Sequence, residues 1–118
     1  MSKCEFIKEF LCELSELNDL TNKVIYSPLY QKNIILILDD NQIYAWLDAC
    51  PHYPQATPLS WKAGQYLSHD KKFIQCFAHG ALFNFKTGLC EQGPCLGKKL
   101  SEIPLEIVSG QIFCLRTL

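Results

Sequence analysis

The chain has no long apolar run and no excess of charge of either sign. Its longest wholly apolar run, residues 34–38, is far shorter than the about 20 residues that a membrane-spanning helix requires. Eleven basic side chains against twelve acidic ones give a formal net charge of -1. These absences argue against a membrane span and against binding to nucleic acid or to an anionic membrane surface. A protein partner must therefore recognise a local patch.

The sequence also lacks a continuous apolar stretch at its start and an even set of cysteines. Charged residues interrupt the apolar ones over residues 1–9, so we expect no secretory signal there. Seven cysteines are an odd number, which disfavours a complete disulfide framework and favours reduced thiols together with metal ligands. We therefore expect the protein to reside in the cytoplasm.

The spacing of turn signals predicts an all-β fold. The stretches between these signals alternate in polarity or are β-rich, and no linker or low-complexity tract interrupts them. A length of 118 residues suits one domain, in which roughly two-thirds of the surface of the extended chain is buried on folding. We therefore expect a single domain over residues 1–118.

The clearest local signal is a hairpin in which strands 33–38 and 42–47 flank the polar turn 39–41. Trp46, in its second strand, is expected to anchor the core or a loop. Further strands are predicted at 22–26, 66–68, 73–75, 81–85, 105–108 and 111–115. The last two form a hairpin that closes a sheet near segment 10–14, which has the pattern of a strand or of the end of a short helix.

Two cysteine and histidine pairs, Cys50-Pro51-His52 and Cys76-Phe77-Ala78-His79, each follow a predicted strand. Two thiolates and two imidazoles are the ligands that a [2Fe–2S] cluster of mixed ligation requires. The same four residues could instead hold one tetrahedral zinc ion in a structural Cys2His2 site. Glycine and proline around them favour the cluster, and colour and an electron paramagnetic resonance signal after reduction would distinguish the two. The candidate metal and cofactor ligands are Cys50, His52, Cys76 and His79.

Charge explains what mixed ligation does to such a cluster. Two ferric ions, two sulfides, two thiolates and two neutral imidazoles sum formally to zero, whereas four thiolates give about minus two. An electron is added more easily to the less negative centre. Histidine ligation therefore raises the reduction potential into a window of roughly -150 to +300 mV.

The order of these motifs resembles that of the Rieske-type ferredoxins. The resemblance rests on Cys50-Pro51-His52, on residues 76–83, on Thr87-Gly88 and on Gly93-Pro94-Cys95-Leu96-Gly97, and it spans about residues 11 to 116. It implies antiparallel sheets with a small cluster-binding subdomain at about 49–99, and a third loop, 93–97, that covers the cluster. Gly93 and Gly97 can take the positive φ angles that such a loop needs.

Carried over residue by residue, the resemblance also implies the ligand assignment. Cys50 and Cys76 would bind one iron, while His52 and His79 would bind the other and face solvent. The high-potential branch of the family has an extra cysteine in each ligand loop, joined as a disulfide, and a serine after the second loop. Here positions 78 and 81 are alanines, so the chain is similar to the bacterial, low-potential type without a disulfide.

The resemblance implies a one-electron carrier. Electrons would pass from a flavoprotein reductase to a terminal oxygenase or another acceptor and leave through the imidazoles. A mononuclear iron typically needs two more histidines and a carboxylate, and only His69 remains, so we expect no catalysis at a second metal in this polypeptide. The alternatives are a cluster-based redox sensor or accessory module, a structural zinc domain, and a related fold without a cluster, as in small subunits of assimilatory nitrite reductases. The intact ligand set argues against the last.

The remaining cysteines fall into two groups. Cys4, Cys12 and Cys114 are expected to act as small apolar residues or idle thiols. Cys90 and Cys95 are expected to sit in the covering loop, where a disulfide or a redox-sensitive pair is conceivable, although packing is favoured.

Overall fold

The computed structural model describes residues 6–49, 67–68, 71–76, 81–93 and 96–117. Within these residues nine strands form three antiparallel sheets of three strands each. The strands are β1 Phe6–Glu13, β2 Asn22–Ser27, β3 Lys32–Asp39, β4 Gln42–Leu47, β5 Phe73–Cys76, β6 Ala81–Asn84, β7 Cys90–Gln92, β8 Leu105–Val108 and β9 Gln111–Thr117. The predicted all-β fold is confirmed. No helix in the described part of the chain is long and apolar enough to cross a membrane.

The central sheet has the order β2-β3-β4 and contains the predicted hairpin. Asp40 and Asn41, at its turn, have φ angles of 51° and 63°; positive φ at both central residues is typical of the two-residue turns that join twisted antiparallel strands. Residues 34–37 of β3 are fully buried. Ile35 and Ile37 belong to one core cluster and their neighbours to another, so β3 separates the two cores.

The sheet that contains the N-terminal strand has the order β1-β9-β8, and its β8–β9 hairpin is confirmed. β1 begins at Phe6, four residues before the predicted segment, because its first half pairs with the end of β9. Segment 10–14 combines both predicted alternatives. The strand continues to Glu13, and a short 3-10 helix, Leu14–Glu16, follows.

A buried polar contact joins this sheet to the turn after β2. The hydroxyl of Ser27, which is fully buried, donates to Glu9 Oε1 at 2.5 Å, and Leu29 N–H donates to Glu9 Oε2 at 3.2 Å. The thiol of Cys114 lies 3.6 Å from the same carboxylate, and burial raises its pKa. Cys12 and Cys114 are both buried in the core, as predicted for small apolar residues.

The third sheet has the order β5-β6-β7 and contributes to the core that lies on one side of β3. β5 pairs with β6, and Leu67, within the predicted strand 66–68, forms an isolated bridge to Ile74. β7 was not predicted from the sequence. Phe83 and Cys90 of this sheet are buried in the same cluster as Trp46. The sheet that holds the second cysteine and histidine pair is therefore packed against β4, the strand that precedes the first pair.

Candidate metal centre

The first predicted ligand loop leaves from the end of β4. Asp48, only 4% exposed, donates its backbone N–H to Asn33 O at 2.9 Å, and Ala49 N–H donates to Leu47 O at 2.9 Å. These bonds hold the backbone up to the residue before Cys50. Cys50 and His52 themselves lie outside the described residues, so their role as ligands stays a prediction.

The second predicted ligand loop connects β5 to β6. Cys76 is the last residue of β5, and its backbone pairs with Ala81, the first residue of β6. The register therefore leaves four residues, 77–80, between the paired ends. His79 is one of these four and lies outside the described residues, as does the side chain of Cys76.

The segment that resembles a covering loop, 93–97, begins at Gly93, which packs against Ala81, the first residue after this connection. Gly93 has a φ angle of +106°, and a Cβ built on it would lie 2.7 Å from Ala81 Cα. Only glycine permits such a close approach of two backbones. Gly97 has a φ of +88°, so the expected positive φ angles are confirmed at both glycines. Leu96 N–H donates to Gly93 O at 3.3 Å, which turns the chain back on itself beside Ala81.

Trp46 joins the strand before the first loop to the sheet that carries the second. Its side chain is 2% exposed, and its indole N–H donates to Phe85 O at 2.6 Å. The ring lies directly on Gly88, where an added Cβ would be 2.5 Å from Trp46 Cζ3, and Gly88 has a φ of +79°. The prediction that Trp46 anchors the core is confirmed. Its contact with Gly88 was not foreseen and gives a physical reason for glycine in the Thr87-Gly88 motif.

The chain returns to β4 after the third loop. Leu100 N–H donates to Gly88 O at 2.9 Å, Leu47 N–H donates to Ser101 O at 2.9 Å, and Ile103 N–H donates to Ala45 O at 3.0 Å. Backbone hydrogen bonds therefore connect the start of the first loop, the end of the third loop and the turn after β6. Sequence reasoning missed this segment because it has no strand pattern of its own.

The residues present suit a cluster with mixed ligands. The chain supplies two thiols and two imidazoles, the donor set that one sulfur-ligated and one nitrogen-ligated iron require. β4 and β5, the strands that precede the two cysteine and histidine pairs, contribute side chains to the same core cluster. The contact between Gly93 and Ala81 also brings backbone close to the residue that pairs with Cys76; backbone N–H groups near a cluster can tune it through hydrogen bonds to its sulfurs.

Cys90 lies inside the core and not at the surface of the third loop. It is 1% exposed, belongs to the same cluster as Phe83, and places its Sγ 3.2 Å from Gln92 O. Cys95 lies outside the described residues. Any pairing between these two cysteines stays untested.

Known structures share this fold. The chain matches a chain in the complex of reduced oxygenase and oxidized ferredoxin in carbazole 1,9a-dioxygenase with a TM-score of 0.70 and 24% identity, over 92% of both chains. It matches the ferredoxin of carbazole 1,9a-dioxygenase from Nocardioides aromaticivorans IC177 with a TM-score of 0.70 and 17% identity, over 91% of this chain and 95% of that one. It also matches the terminal oxygenase of carbazole 1,9a-dioxygenase from Novosphingobium sp. KA1, with a TM-score of 0.72 and 18% identity, over 91% of this chain but only 29% of that one.

A comparison with the curated proteins gave no match. The profile of the Rieske [2Fe-2S] domain, in contrast, matches residues 8–115, which is nearly the whole chain and includes all four candidate ligands. The chain therefore belongs to the Rieske [2Fe-2S] domain family, whose cofactor is a [2Fe–2S] cluster.

Proposed function

We propose that this protein is a one-electron carrier and that residues 1–118 form a single domain, with the cluster-binding part at about 49–99. Cys50 and Cys76 hold one iron, and His52 and His79 hold the other. When bound, the cluster takes up and releases one electron at a time. The protein's own contribution is to hold the four ligands at or after the ends of β4 and β5, strands that share one core.

One observation carries this proposal most directly. β5 ends at Cys76, and the four-residue connection from there to Ala81 contains His79, so a thiol and an imidazole belong to one hairpin, three positions apart. Gly93 packs against Ala81, where that connection ends. Both ends of this connection therefore belong to paired strands.

The acceptor that we propose is a terminal oxygenase. The support is the match over 92% of both chains with a chain from a complex of an oxygenase and a ferredoxin. We further propose a flavoprotein reductase as the donor, and the cytoplasm as the location. Neither membrane nor nucleic acid is needed in this scheme.

Cys90, one of the two cysteines that a redox sensor would use, does not have the properties of a sensing thiol. A redox-sensing thiol is typically accessible and poised as a thiolate. Cys90 is 1% exposed and packs in the core with Phe83 and Trp46. We therefore propose electron transfer as the function.

The test is reductive titration of the anaerobic holoprotein, followed by stopped-flow mixing with an oxidised terminal oxygenase. We expect uptake of one electron per chain and rapid reoxidation by the oxygenase. Reoxidation only at the rate seen with buffer would contradict the proposal, as would a change in partner binding on cluster loss without any electron transfer.

The three histidines of the chain provide a matched pair of variants. His52→Cys adds one negative charge to the cluster and should lower the reduction potential by roughly 100 mV or more, because all-cysteine clusters lie well below the mixed type. His69→Gln, at the histidine that has no proposed role, should leave the potential unchanged. Equal potentials in both variants would remove His52 from the ligand set.

A further inference from the structure

A groove with a volume of about 430 Å³ lies at the end of the third sheet that is remote from Cys76. Leu20 and Asp39 line it from the side of the central sheet, and Phe73 and Phe85 line it from the third sheet. Phe73 is the first residue of β5 and Cys76 is the last. Phe73 therefore lies about 10 Å along the strand from Cys76, the candidate cluster ligand on β5.

The floor of the groove is apolar and firmly supported. Phe85 is 4% exposed, and the ring of Tyr44 packs edge-on against it with centroids 5.5 Å apart. Phe73 and Leu20 are half-buried beside it. Phe73 and Leu20 therefore provide the accessible apolar surface above the buried Phe85 ring, and such a surface favours a flat apolar ligand.

The rim of the groove is positively charged. Among the residues that the structure describes, Lys71, Lys72 and Lys86 line it together with one carboxylate, Asp39, whereas the whole chain has a formal charge of -1. Lys86 Nζ lies 3.1 Å from Asp39 Oδ2 and 6.0 Å from the centroid of the Phe85 ring. The hydrogen bond to Asp39, with a smaller contribution from the charge of Asp40, raises the pKa of Lys86, so this cation is held beside the aromatic floor.

The backbone at two points of the rim has an unfavourable conformation. Leu20 has a φ of 52° and Lys71 a φ of 60°, the left-handed region that residues with a Cβ rarely adopt. Each is fixed by a hydrogen bond, from Leu20 N–H to Leu38 O at 2.8 Å and from Lys71 N–H to Ser68 O at 2.9 Å. Such conformations persist only where surrounding structure imposes them, and they concentrate at binding sites.

We propose that this groove binds a small carboxylate that has a flat aromatic body. The ring system lies on Phe73 and Leu20, above the buried Phe85, and the carboxylate faces the lysines of the rim. The volume falls within the range of about 300–1,000 Å³ that is usual for small-molecule sites, which combine an apolar lining with a few polar groups. This proposal does not depend on the proposed function of the cluster, because none of its lining residues is a candidate ligand.

The test is calorimetric titration of the holoprotein with 2-naphthoate at low salt. A ligand of about 13 non-hydrogen atoms and ordinary efficiency should bind with a Kd of about 1 mM. The neutral analogue 2-naphthamide has the same ring system without the charge and should bind at least about threefold more weakly. Absence of saturable binding of 2-naphthoate up to about 10 mM, or equal binding of the two compounds, would overturn the proposal.

A matched pair of double variants locates the binding. Lys71→Gln with Lys72→Gln removes two exposed cations of the rim and should weaken 2-naphthoate binding about tenfold, at about threefold per charge. Lys98→Gln with Lys99→Gln removes two consecutive exposed lysines outside the groove and should leave the Kd unchanged. All four side chains are exposed, and the thermal unfolding midpoint of each double variant checks that the fold is retained. Equal weakening in both double variants would show nonspecific attraction and refute the site.

Discussion

Replacement of Gly88 by alanine should destabilise the protein through one defined contact, the one with Trp46. The added Cβ would lie 2.5 Å from Trp46 Cζ3 and 2.6 Å from Cη2. The indole cannot move away freely, because it is buried and its N–H donates to Phe85 O. Gly110 offers a control, since it has nearly the same φ, +77° against +79°, and no atom within 4 Å of an added Cβ.

The magnitude follows from two terms. A positive φ costs a residue with a Cβ about 1–2 kcal/mol, and this term applies to both glycines. Overpacking against a buried ring costs a further 1–3 kcal/mol or so, and this term applies only to Gly88. We therefore expect Gly88→Ala to destabilise the fold by roughly 2–5 kcal/mol and Gly110→Ala by roughly 1–2 kcal/mol.

The measurement is the apparent midpoint of thermal unfolding of the holoprotein, followed by the loss of visible absorption. At roughly 4 °C per kcal/mol for a domain of this size, Gly110→Ala should lower the midpoint by roughly 4–8 °C and Gly88→Ala by roughly 8–20 °C. In a Trp46→Phe background, which removes the ring atoms that meet the Cβ, Gly88→Ala should cost no more than Gly110→Ala. Equal costs at the two glycines in the natural background would refute the role assigned to Trp46.

The other predictions concern the covering loop and the buried thiol. Gly93→Ala would place a Cβ 2.7 Å from Ala81 Cα and should reduce the iron retained after purification. Gly97→Ala, where no atom lies within 4 Å of an added Cβ, should retain the natural amount of iron. Equal loss of iron in both variants would contradict the close packing of Gly93 against Ala81. Burial raises the pKa of Cys114 above its ordinary value of 9.0, so the unfolded chain ionises first and stability should fall as the pH rises above about 9. Cys114→Ala should flatten this alkaline fall in the unfolding midpoint, and an unchanged slope would exclude the thiol as its source.

The sequence predicted the parts of the fold that local chemistry determines. The β3–β4 hairpin was predictable because Asp40 and Asn41 tolerate the left-handed conformation that its turn requires. The start of β1 at Phe6 was not, because that half of the strand is specified by pairing with β9, at the other end of the chain. β7 was missed because it has three residues and only Cys90 among them is buried.

The candidate site divides in the same way. The four candidate donors could be proposed from their residue types and order, because the chemistry of mixed ligation restricts them. The contacts that support the site were not recognisable, since Trp46 meets Gly88 and Gly93 meets Ala81 only after the sheets have packed. Glycine at these two positions could be identified from the resemblance, but its reason is visible only in the folded chain.

The most direct test of the metal centre is the metal and sulfide content of protein purified without oxygen, together with its electron paramagnetic resonance spectrum before and after reduction. We expect about two irons and two acid-labile sulfides per chain, and a signal that appears when one electron is added. One zinc per chain in a colourless protein, or iron without acid-labile sulfide, would contradict the assignment of a [2Fe–2S] cluster to Cys50, His52, Cys76 and His79.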